Sequence, residues 1–371
     1  MILAWLANLN LKPMEAQYLD TFYKMLKYVD KKDIHYVIIE EYLKEHPLTW
    51  ASTFLDYNSI NFDELNKTVL RTSPEQRCAI TLKSKLQSYN KEHNESIYQQ
   101  LKYDTELKRE DIDFILTWIN NRTLKNFAKH YNIPLIHNEL GALRPNLWKD
   151  SIYLDFSGVN DSTEFEIRFK NFMKVSSFVN ILPHDELLEL VAGDKSEVFN
   201  IYKNYFNRTD CNKVGVALQV ARDSNLLMYS HGWSTIDLMS YVCQKYGKEN
   251  LLVKNHPHSD QQQTGDYAFV STPTELLMRS KKVVTVNSSM AFEAFLLGKE
   301  AEVLGSNPFE CIFGLTGEDK LKALNFAVIS YLVPEKLLFN KDYYKFRIEC
   351  KDEVTLFNEG LRNWKNYAKL R

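Results

Sequence analysis

Val283-Val-Thr-Val-Asn-Ser-Ser-Met-Ala-Phe-Glu-Ala-Phe-Leu-Leu-Gly298 is the stretch that decides the fold. A short β-branched run stops at two small hydroxyl residues, and an apolar segment at helical spacing follows up to a glycine. This is a buried strand turning directly into a helix, with unpaired N–H groups and a positive dipole end at the turn. Ser288 and Ser289 add hydroxyl donors there, so the turn suits a phosphate. Glu293 stands four residues after Ser289, on the same helix face, where it can accept hydrogen bonds from ribose hydroxyls. The residues alone also allow a plainer pair of roles, an N-cap at Ser288 and a surface carboxylate at Glu293.

Outward from this stretch the pattern repeats. Leu251-Leu-Val-Lys254 is a strand, and Lys254-Asn-His-Pro257 closes it at the edge where open α/β sheets bind ligands, so Lys254 and His256 can both face an anion. Val214 to Val220 and Ala301 to Leu304 are further strands. Helical stretches at Ser234–Tyr246, Thr274–Ser280 and Ser289–Leu297 lie between or after them, as parallel crossovers require. Thr272-Pro-Thr-Glu275 is a capping box with a structural role. The C-terminal half therefore predicts a doubly wound parallel sheet.

The other half has a different texture. All twelve glycines fall at or after Gly141, so no glycine phosphate loop exists before it. Apolar runs at Ile34–Ile39, Ile112–Trp118, Pro134–Asn138 and Ile152–Phe156 alternate with long polar helical stretches, which predicts a second α/β domain. Met1 to Leu9 lacks a basic n-region and a cleavage site, and is expected to be a core strand rather than a signal peptide. Pro183 to Gly193 is the expected connection. The expected domains are 1–185 as an N-terminal α/β domain, 186–335 as a Rossmann-like domain, and 336–371 as C-terminal helices packing back on the first.

Composition excludes several classes. A chain of 371 residues exceeds the usual single core, and 44% hydrophobic with 25% charged residues is globular. A formal charge of −2 offers no footprint for nucleic acid. The five cysteines, Cys78, Cys211, Cys243, Cys311 and Cys350, fit neither a disulfide framework nor a zinc spacing, and predict buried free thiols in a reducing compartment. No apolar run reaches the roughly 20 residues of a membrane span. A cytoplasmic protein is expected, with any contact at the inner face of the inner membrane peripheral. The basic tail Arg362 to Arg371 is the candidate for that contact, or else a solvated helix.

Two carboxylates complete the candidate site. His137-Asn-Glu-Leu-Gly-Ala-Leu-Arg-Pro145 ends an apolar strand with Glu139 and follows it with Arg144; Glu139 is either a catalytic group projecting from the strand end or the ion-pair partner of Arg144. Leu218-Gln-Val-Ala-Arg-Asp-Ser-Asn225 puts Asp223 just after the first strand of the second domain, where Asp-Ser is also ordinary turn chemistry. Asp111-Ile-Asp113 precedes a strand, whereas the Asp-x-Asp of metal-dependent transferases follows one.

Lys254, His256, Pro257, Thr285, Ser288, Glu293, Ala294, Gly298 and Lys299 together resemble the Lys-x-His-Pro and Thr-x-x-Ser-x-x-x-x-Glu-Ala-x-x-x-Gly-Lys runs of bacterial retaining β-Kdo glycosyltransferases of lipopolysaccharide and capsule synthesis. Glu139, Gly141, Leu143 and Arg144 are similar to their Glu-x-Gly-x-Leu-Arg motif, which Ile152 to Asn160 continues. Gln219, Val220, Asp223 and, displaced by one, Ser224 are similar to their Gln-Val-x-x-Asp-x-Ser stretch. The resemblance covers Pro134 to Ser306 in patches; the first 130 residues add almost nothing to it.

What the resemblance implies is a GT-B-like α/β protein, two Rossmann-type domains facing a cleft, that transfers Kdo from CMP-β-Kdo to a saccharide with retention. Asp223 is then the nucleophile and Glu139 the general base. His256, Lys254, Ser288, Ser289, Glu293, Gln219 and Arg144 bind the donor. No cofactor or metal is expected. The partners are a nucleotide-sugar donor and an oligosaccharide or lipid-linked acceptor. Two alternatives stay open: an inverting CMP-sugar transferase, and a non-catalytic glycan-binding subunit of a polysaccharide assembly complex. A dinucleotide dehydrogenase is disfavoured, because no Gly-x-Gly-x-x-Gly occurs.

Overall fold

The computed structural model describes residues 1–5, 25, 28–39, 65–71, 91–104, 107–145, 147–193, 197–207, 212–221, 223–257 and 262–370. Cys78, Cys211 and Arg222, and most of the polar helical stretches expected before residue 90, lie outside them.

The chain divides into two compact units. The first comprises Met1–Asn138, Asp155–Val159 and Phe339–Glu349; the second comprises Glu139–Leu154, Asn160–Leu338 and Cys350–Arg371. Both are α/β.

In the first unit, β1 (Ile2–Trp5), β2 (Ile34–Ile39), β3 (Lys67–Leu70), β4 (Phe114–Thr117) and β5 (Leu135–Leu140) lie in the order β5-β4-β1-β2-β3. The pairings are parallel, with Ile2 opposite both Ile34 and Phe114. Counted along the chain this is the 3-2-1-4-5 order of a Rossmann sheet. The strands are short apolar runs because both faces are covered: Leu3, Trp5, Val37, Ile115, Leu124 and Phe127 share one core. Helix Arg122–His130 starts where the Asn121 side chain accepts from the Leu124 N–H. The division between units falls within β5, after Asn138.

The second unit repeats that order. β7 (Val214–Ala217), β8 (Leu251–Lys254), β9 (Ala268–Phe269), β10 (Lys282–Thr285) and β11 (Glu300–Val303) run β11-β10-β7-β8-β9, all parallel. Val214, Val216, Leu251, Val253 and Val284 bury one face against Leu238, Met239 and Val242 of helix Thr235–Tyr246. Each such side chain contributes about 1.5–3 kcal/mol. Ser234 and Asp237 open that helix as a full capping box. Helix Pro273–Arg279 is capped by Thr272, whose side chain accepts from the Glu275 N–H.

Register fixes where function can sit. Ala217 pairs with Lys254 and with Thr285, and Thr285 pairs with Val303, so four strands end together. The residues after them share one sheet edge. Strand order reverses between β7 and β10, which is the point where such sheets bind ligands.

β6 (Ser151–Asp155) pairs antiparallel with β12 (Leu332–Pro334). Gly141 lies so close to β6 that a Cβ would sit 2.2 Å from Ser151 Oγ. Segment 183–193 forms helix His184–Val191 within the second unit. The last long helix, Glu353–Lys365, packs on helix Phe165–Val175 of the same unit through a buried Arg168–Glu353 pair at 2.8 Å and a Phe172–Phe357 stack. Trp364 is fully buried and donates to Val328 O at 2.8 Å, so the basic tail is anchored rather than wholly solvated.

One expectation changes, that of buried thiols. Cys311 is exposed and Cys243 and Cys350 are partly exposed, so none of the described thiols is a core residue. Asp113 faces Lys341 at 3.4 Å and belongs to a surface ion pair. Among the described residues no helix is long and apolar enough to cross a membrane.

Candidate active site

Every residue given a role in the candidate site lies in the second unit, whose first segment begins at Glu139. Three clusters form.

The first surrounds Asp223. The chain leaves β7 at Ala217, and the Asp223 side chain caps helix Ser224–Tyr229 by accepting from the Asn225 N–H at 2.8 Å. Burial raises its pKa, against that hydrogen bond and the nearby His256, which lower it. Glu139 lies close enough that the Asp223 charge raises its pKa as well. Burial is the larger cause, and it carries Glu139 to about 7 although the Leu140 N–H, at 2.8 Å from Oε1, and Arg144 both oppose it. A carboxylate with such a value accepts a proton near neutrality and can release it again.

The second cluster centres on Glu293, which is 4% exposed. Its Oε2 accepts from Trp148 Nε1 at 3.0 Å. Burial raises its pKa to about 7, with Trp148, Arg144 and Lys254 each lowering it. Glu293 is therefore not the surface carboxylate of the plainer reading: this face of helix Met290–Leu296 is packed, with Oε2 taken by Trp148. Lys254 is buried too, with its pKa lowered by desolvation and supported by Glu293. Arg144 acts on Glu139 and Glu293 alike, and among the described residues it forms no direct ion pair with either.

The third cluster is the turn after β10. Ser289 is the N-cap and makes no side-chain cap bond. Ser288 Oγ accepts from the Met290 N–H at 3.3 Å, which leaves its proton available. Gln219 is spent internally: its Nε2 donates to Asn287 Oδ1 at 2.8 Å, and its Oε1 accepts from the Asn287 N–H at 3.1 Å. Gly298 ends the helix at φ +83°, and the Lys299 amino group donates to Ser280 O at 2.7 Å, so both residues hold the frame.

Sequence reasoning passed over Trp148, Asn225 and Asn287, whose partners are distant in the chain. Asn160 stood at the end of a quoted run with no role attached.

Family models match two stretches of the chain. Residues 52–164 match the glycosyltransferase 99 family N-terminal domain, and residues 206–340 match the capsule polysaccharide biosynthesis protein family. The first match holds Glu139 and Arg144, and the second holds Asp223, Lys254, His256, Ser288, Ser289 and Glu293. These family matches define a glycosyltransferase, an enzyme that takes a nucleotide-sugar donor and a glycan acceptor. It is a glycosyltransferase of capsule polysaccharide biosynthesis, as the resemblance drawn from its motifs implies, and the match at 52–164 extends that resemblance well before Pro134.

Two solved structures from Thermosulfurimonas dismutans KpsC are similar. The β-Kdo 2,4 transferase shares 15% identity over 60% of this chain and 81% of its own, with a TM-score of 0.42. The β-Kdo 2,7 transferase shares 12% over 93% of this chain and 99% of its own, with a TM-score of 0.40. No curated protein matches.

Proposed function

We propose that this glycosyltransferase moves Kdo from CMP-β-Kdo to a saccharide acceptor with retention, through a sugar bound covalently to Asp223. The carrying observation is that Glu139 and Asp223, far apart in sequence, are close enough for the charge of one to shift the proton affinity of the other. Retention by double displacement needs such a pair, a nucleophile and a separate base.

In the first step an Asp223 carboxylate oxygen bonds to the anomeric carbon. The bond from that carbon to the CMP phosphate breaks, and its electron pair leaves on the phosphate. A phosphate is a weak base, so no proton is required. Ser288 and Ser289 hydroxyls and the Lys254 ammonium offset its charge, with His256 beside the reacting sugar. Arg144 receives the sugar carboxylate, which a guanidinium holds by two parallel hydrogen bonds.

In the second step the acceptor hydroxyl attacks the same carbon. Its proton passes to Glu139, and the carbon–oxygen bond to Asp223 breaks with the pair returning to the aspartate. Two inversions leave the configuration unchanged. No step calls for a metal or cofactor, and we propose that none is used.

Incubation with CMP-Kdo and a panel of lipid-linked or synthetic oligosaccharides tests this. A β-Kdo product whose formation is abolished by Asp223→Asn supports the mechanism. An inverted product, or full activity in Asp223→Asn, contradicts it.

A further inference from the structure

We propose that Asn160 and Asn287 are positioning residues that clamp Asn225 from two sides, so that its N–H fixes one oxygen of Asp223 and leaves the other as the attacking atom. This rests on the nucleophile assignment above.

Asp223 Oδ1 accepts from the Asn225 N–H at 2.8 Å, and among the described residues Oδ2 takes no hydrogen bond. Asn225 is held in turn at two further atoms. Its side-chain Oδ1 accepts from Asn160 Nδ2 at 2.7 Å, and its backbone carbonyl accepts from Asn287 Nδ2 at 3.0 Å. Asn287 is itself locked by the two-point pairing with Gln219, whose Oε1 also accepts from Thr285 Oγ at 3.3 Å. Thr285 Oγ reaches Ala217 O at 2.9 Å, which ties the chain of amides to the ends of β7 and β10. Asn160 sits at φ +59°, a conformation that asparagine tolerates better than most residues, and its own N–H donates to the Tyr153 hydroxyl at 3.2 Å.

An N-cap on a six-residue helix needs only the bond from Asn225 to Asp223. The remaining amides are more than capping requires, and partly buried amides are costly unless each finds a partner. Their common end point is Asn225, at its side-chain amide oxygen and at its backbone carbonyl. A carboxylate bonded at one oxygen, on a turn fixed from both sides, is aligned before the sugar arrives, and a misplacement of about 1 Å costs on the order of 100-fold in rate.

Asn160→Gly removes the amide while keeping the left-handed backbone accessible. Asn287→Asp keeps an acceptor for Gln219 and loses the donor to Asn225. Each is placed in a Glu139→Gln background, supplied with CMP-Kdo, and adduct formation on Asp223 is followed by intact mass, with CMP affinity measured by calorimetry. The clamp predicts adduct formation slowed about 10- to 100-fold in both, with CMP affinity within about threefold. Adduct formation at the parental rate in both folded variants overturns the clamp alone. Absence of any adduct in the parent overturns the nucleophile assignment, and the clamp with it.

Discussion

Trp148 Nε1 donates a 3.0 Å hydrogen bond to Glu293 Oε2, joining residues 145 positions apart. Trp148 follows Arg144 by four residues, and its backbone N–H donates to the Arg144 carbonyl at 2.9 Å, so the indole bond ties the Arg144 turn to helix Met290–Leu296. One buried carboxylate thereby orders a segment that carries a cation and lies beside Glu139.

Trp148→Phe keeps the ring and deletes the donor. A hydrogen bond to a charged, buried group is worth about 1.5–3 kcal/mol, so urea unfolding should show a loss of that size. An unchanged midpoint would mean that the bond contributes nothing.

The pH dependence of stability follows from Glu293. Its folded pKa is about 7 against an ordinary 4.5. Below about pH 4.5 both states hold the proton. Between there and pH 7 the unfolded chain ionises first, so stability falls as pH rises and levels off above 7, by at most about 1.4 kcal/mol per unit. Glu139 acts in the same direction. Urea midpoints between pH 4.5 and 8 should fall less steeply in Glu293→Gln than in the unaltered protein; identical slopes would contradict the assignment.

Catalysis should depend on pH in the opposite sense. As the proposed general base, Glu139 has to be ionised to take the acceptor proton, so kcat should rise as pH passes through about 7. Arg144 holds that value down, and Arg144→Met should therefore move the rising limb to higher pH while raising the donor KM. Glu139→Gln should abolish the limb and cost about 100- to 10,000-fold.

Gly141→Ala tests the frame behind Glu139. The new Cβ would meet Ser151 Oγ at 2.2 Å and the Ser151 carbonyl carbon at 2.9 Å. Overpacking of this kind costs about 1–3 kcal/mol. A thermal melt at the parental temperature would show that the turn relaxes freely.

Much of the fold could be read from the sequence, because parallel strands covered on both faces leave continuous apolar runs. Ile34–Ile39, Leu251–Lys254 and Lys282–Thr285 are strands where those runs stand. The strand-to-helix turn at Ser288-Ser289 was legible for the same reason. Glu139 and Asp223 were recognisable by resemblance, since a carboxylate after a strand is otherwise common. What local pattern cannot carry is pairing across distance. Nothing near Glu293 indicates that Trp148 will cover it, and nothing near Asn287 or Asn160 indicates that both will meet Asn225. Gln219 matched a motif as a donor ligand, yet both ends of its amide serve the protein.

The proposed mechanism turns on a covalent sugar on Asp223. Intact-mass analysis of Glu139→Gln after exposure to CMP-Kdo, followed by peptide mapping, measures it directly. The mechanism predicts one added Kdo residue located at Asp223 and absent from the Glu139→Gln, Asp223→Asn double variant. Repeated absence of the adduct while transfer proceeds, or its location on another residue, would contradict it.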